Sequence, residues 1–338
     1  MHITISDPGL RDGNHAIAHQ LSLEQIRRYA QIADQSGIDI IEVGHGNGLG
    51  ASSLQLGLAP HSDKDMLRCA REHIQNAKLG IHIIPGFGRL SDLDLAMDEG
   101  VDIYRVAAHC SEADTTERYI DHLIKHGQEA HGALMMSHMA SKDSLLVEAR
   151  KMASYGAKAV ILMDSAGAFI PLDVSETVSW LTAHLDIAIG FHAHNNLGLS
   201  IANSIAAVQA GASMLDATIK GFGAGAGNTP LEVLIAVLEK YAYKTRATLD
   251  RVLDLADQAE DFLVKKTPSI NSRNICSGIH GIFSGFDKPV ALAAIQYQLL
   301  ERDIYRELGK RKIIAGQEDM IMDICESLLV RSTAIENN

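Results

Sequence analysis

A chain of 338 residues with 46% hydrophobic content can bury one large barrel core plus an appendage, or two ordinary domains. A formal net charge of -12, with no basic run, argues against nucleic-acid or anionic-membrane partners, and no apolar run approaches the roughly 20 residues of a membrane helix. The four cysteines (Cys69, Cys110, Cys276, Cys325) stand far apart without a Cys-x-x-Cys pair, and "MHITISDPGL" has no export signature, so free thiols in a cytoplasmic protein are expected.

The first apolar run, "ITIS", is followed at once by "DPGLRDGNH" (Asp7 to His15), a charged stretch in which no regular helix or strand is expected to continue. Next comes "LSLEQIRRYAQIADQSG", with Ser22 and Gln25 at capping-box spacing, apolar residues at helical spacing, and a stop at Gly37. That punctuation recurs. "QSGIDI", "DEGVDI", "KHGQEA", "SYGAKA" and "QAGASM" each place a glycine (Gly37, Gly100, Gly127, Gly156, Gly211) between an amphipathic run and an apolar one. A helix ending on a left-handed glycine and then a buried strand explains the pattern. The later strand candidates are "DIIEVG", "GIHIIP", "IYRVAA", "AHGALMM", "AVILMD", "AIGFHA" and "MLDATIK", continuous apolar runs of the kind parallel strands show when both faces are buried. Eight strand-helix units favour a (β/α)8 TIM barrel over an open doubly wound sheet, since no dinucleotide fingerprint follows the first strand. "GFGAGAGN" (Gly221 to Asn228) reads equally as a phosphate cradle or as a flexible barrel-closing loop.

Beyond residue 245 the alternation stops. "TLDRVLDLADQAEDFLV" and "KPVALAAIQYQLLERDIYRELGKR" are predicted helical, the second with Asp287 and Pro289 placed for a helix start. The expected division is a barrel over 1–245 and a rigidly attached helical appendage over 246–338.

In a barrel, catalytic groups sit at the C-terminal ends of the strands. "DPGLRDGNH" leaves the first strand, so Arg11, Asp12 and His15 are expected over the mouth. In "FHAHNN", His192 and His194 are two apart on the seventh strand and so face alike. Two imidazoles with a carboxylate such as Asp12 suit Mn²⁺, Co²⁺, Fe²⁺ or Mg²⁺ better than a structural zinc. Single strand histidines are commonly hydrogen-bonded core residues; a same-face pair at a mouth is less readily explained that way. Glu42, inside the apolar "IIEVGHG", needs a cation, and Arg11 is the natural partner. His109, His138 and Ser165 follow the fourth, fifth and sixth strands, and Lys220 the eighth. A divalent metal beside a fixed arginine can bind a 2-oxo acid and stabilise an enolate, with an imidazole as base. This combination suggests aldol cleavage, aldol addition or Claisen condensation.

Seven motifs spread over nearly the whole chain sharpen the picture: "LRDGNHAIAHQ", "IEVGHGNGL", "HCSEAD", "LMMSHM", "NLGLSIANSIAAV", "GAGAGNTPLEV" and "GKRKIIAGQEDM". In them the sequence resembles the metal-dependent pyruvate aldolases of bacterial aromatic catabolism, the 4-hydroxy-2-oxovalerate aldolases. These belong to a metallolyase superfamily with hydroxymethylglutaryl-CoA lyase and isopropylmalate synthase, whose aspartate, arginine and glutamate signature falls on Asp12, Arg11 and Glu42. The resemblance implies that Asp12, His192 and His194 hold the metal, usually Mn²⁺. Arg11 would stabilise the pyruvate enolate and His15 would take the 4-hydroxyl proton, with Ser165 and His192 also touching substrate. It further implies that the C-terminal helices dock an acylating acetaldehyde dehydrogenase. An oligomer is expected as well.

Three positions depart from the family pattern. Gly9 stands where threonine is usual, and Phe283, in "HGIFSGF", stands where a substrate-covering tyrosine is usual, with His280 as a candidate replacement donor. His82, in "GIHIIPG", lies in a segment that is leucine-rich in relatives. The expected function is cleavage and formation of 4-hydroxy-2-oxo acids from pyruvate and a small aldehyde. A Claisen-type condensing relative and a diverged subunit that binds a dehydrogenase are the alternatives.

Overall fold

The computed structural model describes residues 1–314 and 316–336, with side chains as far as Val330. Ala315, inside "GKRKIIAGQEDM", and residues 337–338 of the expected C-terminal division lie outside the described residues.

Among the described residues, eight parallel strands close into a barrel in chain order. They are β1 (Thr4–Leu10), β2 (Ile40–Val43), β3 (Lys78–Ile83), β4 (Ile103–His109), β5 (Glu129–Met135), β6 (Ala159–Asp164), β7 (Ala188–Ala193) and β8 (Met214–Asp216). The ring is sealed by β1 pairing with β8, where Ser6 faces Asp216. Helices α1 (Leu23–Gln35), α2 (Asp63–Arg71), α3 (Leu90–Asp98), α4 (Glu117–Lys125), α5 (Lys142–Tyr155), α6 (Pro171–His184), α7 (Ser200–Gln209) and α8 (Leu231–Lys240) follow the strands. The open doubly wound sheet is thereby excluded. Every one of the five punctuating glycines has positive φ, from 71° at Gly127 to 110° at Gly156, the region an L-residue enters only at a cost. Ser22 accepts from the Gln25 backbone while Gln25 answers the Ser22 backbone, so α1 starts with the expected capping box.

Three local expectations change. "DPGL" does not leave the strand: β1 runs on to Leu10, with its register against β2 slipping between Asp7 and Leu10. Pro8 has no N–H to give a ladder, and the Gly9 N–H donates instead to Asp7 Oδ1 at 2.8 Å. The turn begins only at Asp12, as a 3-10 helix to Ile17. "MLDATIK" is strand for three residues only, and Lys220 lies at φ 52° in a short turn, ion-paired to Glu260. Finally, "KPVALAAIQYQLLERDIYRELGKR" is two helices, parted at Gln298 with φ 54°.

Those two are α11 (Asp287–Tyr297) and α12 (Glu301–Lys310), preceded by α9 (Leu249–Phe262) and α10 (Ser272–His280) and followed by α13 (Met320–Glu336). The expected boundary at residue 245 does not match the division between cores. Val252, Leu255, Ala259 and Phe262 of α9 pack into the barrel's core, against helices such as α1 and α8. A second core, built on Ile282, Phe286, Val290, Ile304, Tyr305 and Leu308, belongs to the appendage. The four cysteines are free thiols. No helix among the described residues is long and apolar enough to cross a membrane.

Inside the barrel, inward-facing side chains fill two unlike layers. Ile40, Ile103, Ala133, Ala159, Ile161 and Met214 make an apolar floor. Alternation then carries Glu42, His82, Arg105, His192 and Asp216 onto the same inward face nearer the strand ends, all of them buried.

Candidate active site

Arg11 and Asp12 stand where β1 meets the 3-10 turn. Asn14 Nδ2 donates to the Gly44 carbonyl at 3.1 Å and pins that turn to the end of β2. Gly13 lies under the Phe222 ring so closely that a β-carbon there would collide with it. The glycine-rich loop therefore packs on the Asp12 turn, and Asn228 Nδ2 donates to Asp12 Oδ2 at 2.6 Å. Barrel closure is the reading of "GFGAGAGN" that this packing supports.

Arg11 is fixed on three sides. Its Nε donates to Glu42 Oε2 at 2.9 Å, and its Nη1 donates to Asp12 Oδ1 at 3.0 Å and to the Gly46 carbonyl at 3.3 Å. The partner expected for Glu42 is thus in place, and a second cation joins it. Arg105 Nη1 lies 3.7 Å from Glu42 Oε1, and Arg105 grips Asp216 through both Nη atoms at 2.5 and 3.0 Å. Asp216 Oδ2 in turn lies 2.9 Å from His192 Nδ1. A chain of buried contacts therefore runs from Arg11 through Glu42, Arg105 and Asp216 to His192.

Asp12, His192 and His194 offer ligand atoms that all lie within 4.8 Å of one another, each on a buried residue. His192 Nε2 and His194 Nε2 face each other at 3.3 Å. Asp216 occupies Nδ1 of His192 and turns its Nε2 toward His194, which fits a carboxylate-oriented imidazole ligand. Burial alone would raise the Asp12 carboxyl, but Arg11 and the histidines outweigh it and hold Asp12 well below the usual carboxylate range. Asp216 is likewise opposed by burial and held low by Arg105 and His192. Burial pushes His194 down to about 4, although Asp12 pulls the other way. Ionised carboxylate and neutral imidazole are the forms that bind a metal, so the donor set fits a divalent ion.

His15 follows one turn after Asp12, its ring against Gly46, where a β-carbon would lie 2.6 Å from Nε2. Burial lowers its pKa, Asp12 raises it, and Arg11 lowers it again, for a net downward shift. Neutral imidazole is the form able to accept a proton.

Other expected residues lie differently. Ser165 Oγ accepts from the Met136 N–H at 3.0 Å, which occupies one of its lone pairs. His109 Nδ1 is 2.8 Å from the Ser111 hydroxyl, and His138 Nε2 donates to the Gly281 carbonyl at 3.1 Å, tying β5 to the appendage. Neither joins the Asp12 cluster. Phe283 packs against the appendage core, with its ring over Gly285. Next to it, Ser284 Oγ would lie 2.6 Å from a β-carbon at Gly225, so the segment borders the glycine-rich loop. His82 is buried with no partner for Nδ1, and burial beside Arg11 and Arg105 keeps it well below the usual histidine range. Gly9 has a local reason: a β-carbon there would sit 2.8 Å from Asp7 Oδ1. That carboxyl also accepts from the Tyr29 hydroxyl at 2.5 Å, and burial pushes it up to about 7.

Arg105, Asp216 and Asn228 were not anticipated. Arg105 and Asp216 had a legible signal, since each breaks an apolar run ("IYRVAA", "MLDATIK") as Glu42 does. Asn228 had none.

Comparison with known proteins now decides the family. Residues 2–258 match the HMGL-like family and residues 268–329 the DmpG-like communication domain. Proteins named 4-hydroxy-2-oxovalerate aldolase are 52% identical over 330 residues in Spirochaeta aurantia, covering 97% of both chains. In Burkholderia pseudomallei (strain K96243) the identity is 53% over 321 residues, covering 95% of this chain and 92% of that one. The chain belongs to the 4-hydroxy-2-oxovalerate aldolase family. It is therefore a carbon-carbon lyase of the HMGL-like group, a group whose chemistry implies a divalent metal. The carboxyl transferase domain of Rhizobium etli pyruvate carboxylase shares the fold, with a TM-score of 0.79 at 15% identity over 98% of this chain and 61% of that one.

For this aldolase-family chain, the oriented His192 makes a prediction. Asp216→Asn removes the charge that opposes Arg105 and weakens the hold on His192 Nδ1. Mn²⁺ affinity, measured by titration calorimetry, should fall about 10- to 100-fold. Unchanged affinity would separate Asp216 from the metal centre.

Proposed function

We propose that this aldolase cleaves 4-hydroxy-2-oxopentanoate to pyruvate and acetaldehyde, or a close homologue to pyruvate and a related small aldehyde, and also runs in the addition direction. The observation that carries the reading is the convergence of Asp12, His192 and His194 beside a buried Arg11 that is held through its Nε and Nη1. A divalent ion held by Asp12, His192 and His194, with Mn²⁺ the first choice and Co²⁺ or Mg²⁺ as alternatives, would supply Lewis-acid polarisation of the 2-oxo group.

The chain's own residues do the rest. Arg11 presents its guanidinium to the oxygen on which enolate charge develops, and Glu42 keeps it there. His15 takes the proton from the 4-hydroxyl. The C3–C4 bond then breaks, the aldehyde carbonyl forms at C4, and the electron pair stays with the pyruvate enolate. A proton from solvent then adds at C3 to complete pyruvate, and His15 returns to solvent the proton it took, so the balance closes. Ser165 and His192 are assigned contacts with the bound 2-oxo acid.

The appendage is assigned to partner docking. Its match to a DmpG-like communication domain supports this, as do the outward apolar side chains of α10 and α11, among them Ile279 and Ile295, the latter 78% exposed. The proposed partner is an acylating acetaldehyde dehydrogenase, and the proposed setting a cytoplasmic oligomer. The catalytic work is assigned to the barrel and the docking to the helices beyond it.

Phe283 and His82 bear on which aldehyde is used. Phe283→Tyr should change the stereochemistry of the 4-hydroxy acid formed from pyruvate and acetaldehyde, read by chiral chromatography. An unchanged product ratio would remove Phe283 from the aldehyde pocket. The assignment as a whole is tested by pyruvate release coupled to lactate dehydrogenase.

A further inference from the structure

Two histidines beside the proposed base have no part in the reaction as written. His19 lies four residues beyond His15, and His45 follows β2 in "VGHGN". The chain reaches His19 through two consecutive left-handed residues, Ala18 at φ 51° and His19 at φ 63°, neither of them glycine. This turn brings the His19 ring edge-on to His15, with centroids 4.9 Å apart and planes at 72°. Its face stacks on His45 at 3.8 Å and 16°.

Backbone groups fix both rings. The Gly46 N–H donates to His19 Nδ1 at 3.4 Å, which leaves the ring hydrogen on Nε2. The Asn47 N–H donates to His45 Nδ1 at 3.1 Å, and His45 Nε2 donates to the Gly57 carbonyl at 3.0 Å. Glycines make the room: a β-carbon at Gly57 would lie 2.6 Å from His19 Cδ2, as one at Gly46 would from His15. Burial holds His19 down to about 3 and His45 to about 4, so the stack stays neutral beside His15. A merely space-filling site would not need a left-handed backbone, two glycine walls and backbone-locked rings.

We infer that the His19–His45 stack is a positioning device for His15, holding its ring in the plane from which it takes the 4-hydroxyl proton. Neither histidine touches substrate in this arrangement; both act through His15. The inference rests on His15 being the base of the proposed aldolase.

The test is a double-variant cycle with Mn²⁺-loaded enzyme and 4-hydroxy-2-oxopentanoate. His19→Asn is the variant of choice, because asparagine tolerates positive φ and can still accept from Gly46 while lacking the ring. It should lower kcat about 10- to 100-fold, with KM and Mn²⁺ affinity within about twofold. His45→Ala should show the same pattern. In a His15→Ala background, His19→Asn should reduce the residual rate by less than about twofold, because the group it positions is gone. Full additivity of the two losses, or a fall in Mn²⁺ affinity, would overturn the positioning role. Full activity in His15→Ala alone would instead sink the base assignment and the inference with it.

Discussion

Arg11→Lys lowers kcat for pyruvate release by about 10²–10³-fold in a chain that remains folded. Arginine here uses separate atoms for separate tasks: Nε on Glu42, and Nη1 on Asp12 and the Gly46 carbonyl. A lysine ammonium is one compact point of charge on a flexible stem and cannot span these partners from a single position. It would settle against Glu42 or Asp12 and leave the enolate oxygen less stabilised. Retained charge limits the effect on folding, so the loss appears in kcat, and circular dichroism stays unchanged. A fall of less than about tenfold would show that Arg11 does not carry the developing charge.

The second large effect is on stability. Arg105→Met destabilises the protein by about 3–5 kcal/mol, because it strands buried carboxylates. Arg105 is 2% exposed and holds Asp216 with two hydrogen bonds while lying near Glu42. Without it, burial drives the Asp216 carboxyl up from its depressed value, and His192 is left as its main partner. The exposed Arg27–Glu24 pair makes the contrast. Arg27→Met, which breaks it, should leave stability almost unchanged, because solvent screens the exposed pair. Thermal melting compares the two: Arg105→Met should lower Tm by several degrees, Arg27→Met hardly at all. Equal shifts would mean that the buried network contributes nothing special.

Much of the barrel could be read from the chain because glycine caps and apolar runs are local signals. Gly37, Gly100, Gly127, Gly156 and Gly211 mark helix ends through backbone conformation, which sequence exposes directly. The limits of β1 were harder, since Pro8 and Gly9 suggest a turn while the Asp7 side chain satisfies the Gly9 N–H and lets the strand continue. The core boundary was hidden for a related reason: α9 shows amphipathic spacing, but spacing does not reveal which core its apolar face joins. In the site, Asp12, His192 and His194 were anticipated, and they converge. The Arg105–Asp216 pair joins residues 111 apart in sequence, across the barrel interior, where no local pattern reports the contact. The same holds for Asn228 and Asp12, brought together only by closure of the glycine-rich loop.

The measurement closest to the central claim is pyruvate release from 4-hydroxy-2-oxopentanoate, coupled to lactate dehydrogenase, with Mn²⁺, after EDTA, and in His192→Ala. Release with Mn²⁺ that EDTA abolishes, that Mn²⁺ restores, and that is absent in His192→Ala is the predicted result. Release that persists after EDTA and in His192→Ala would contradict a metal centre built on Asp12, His192 and His194.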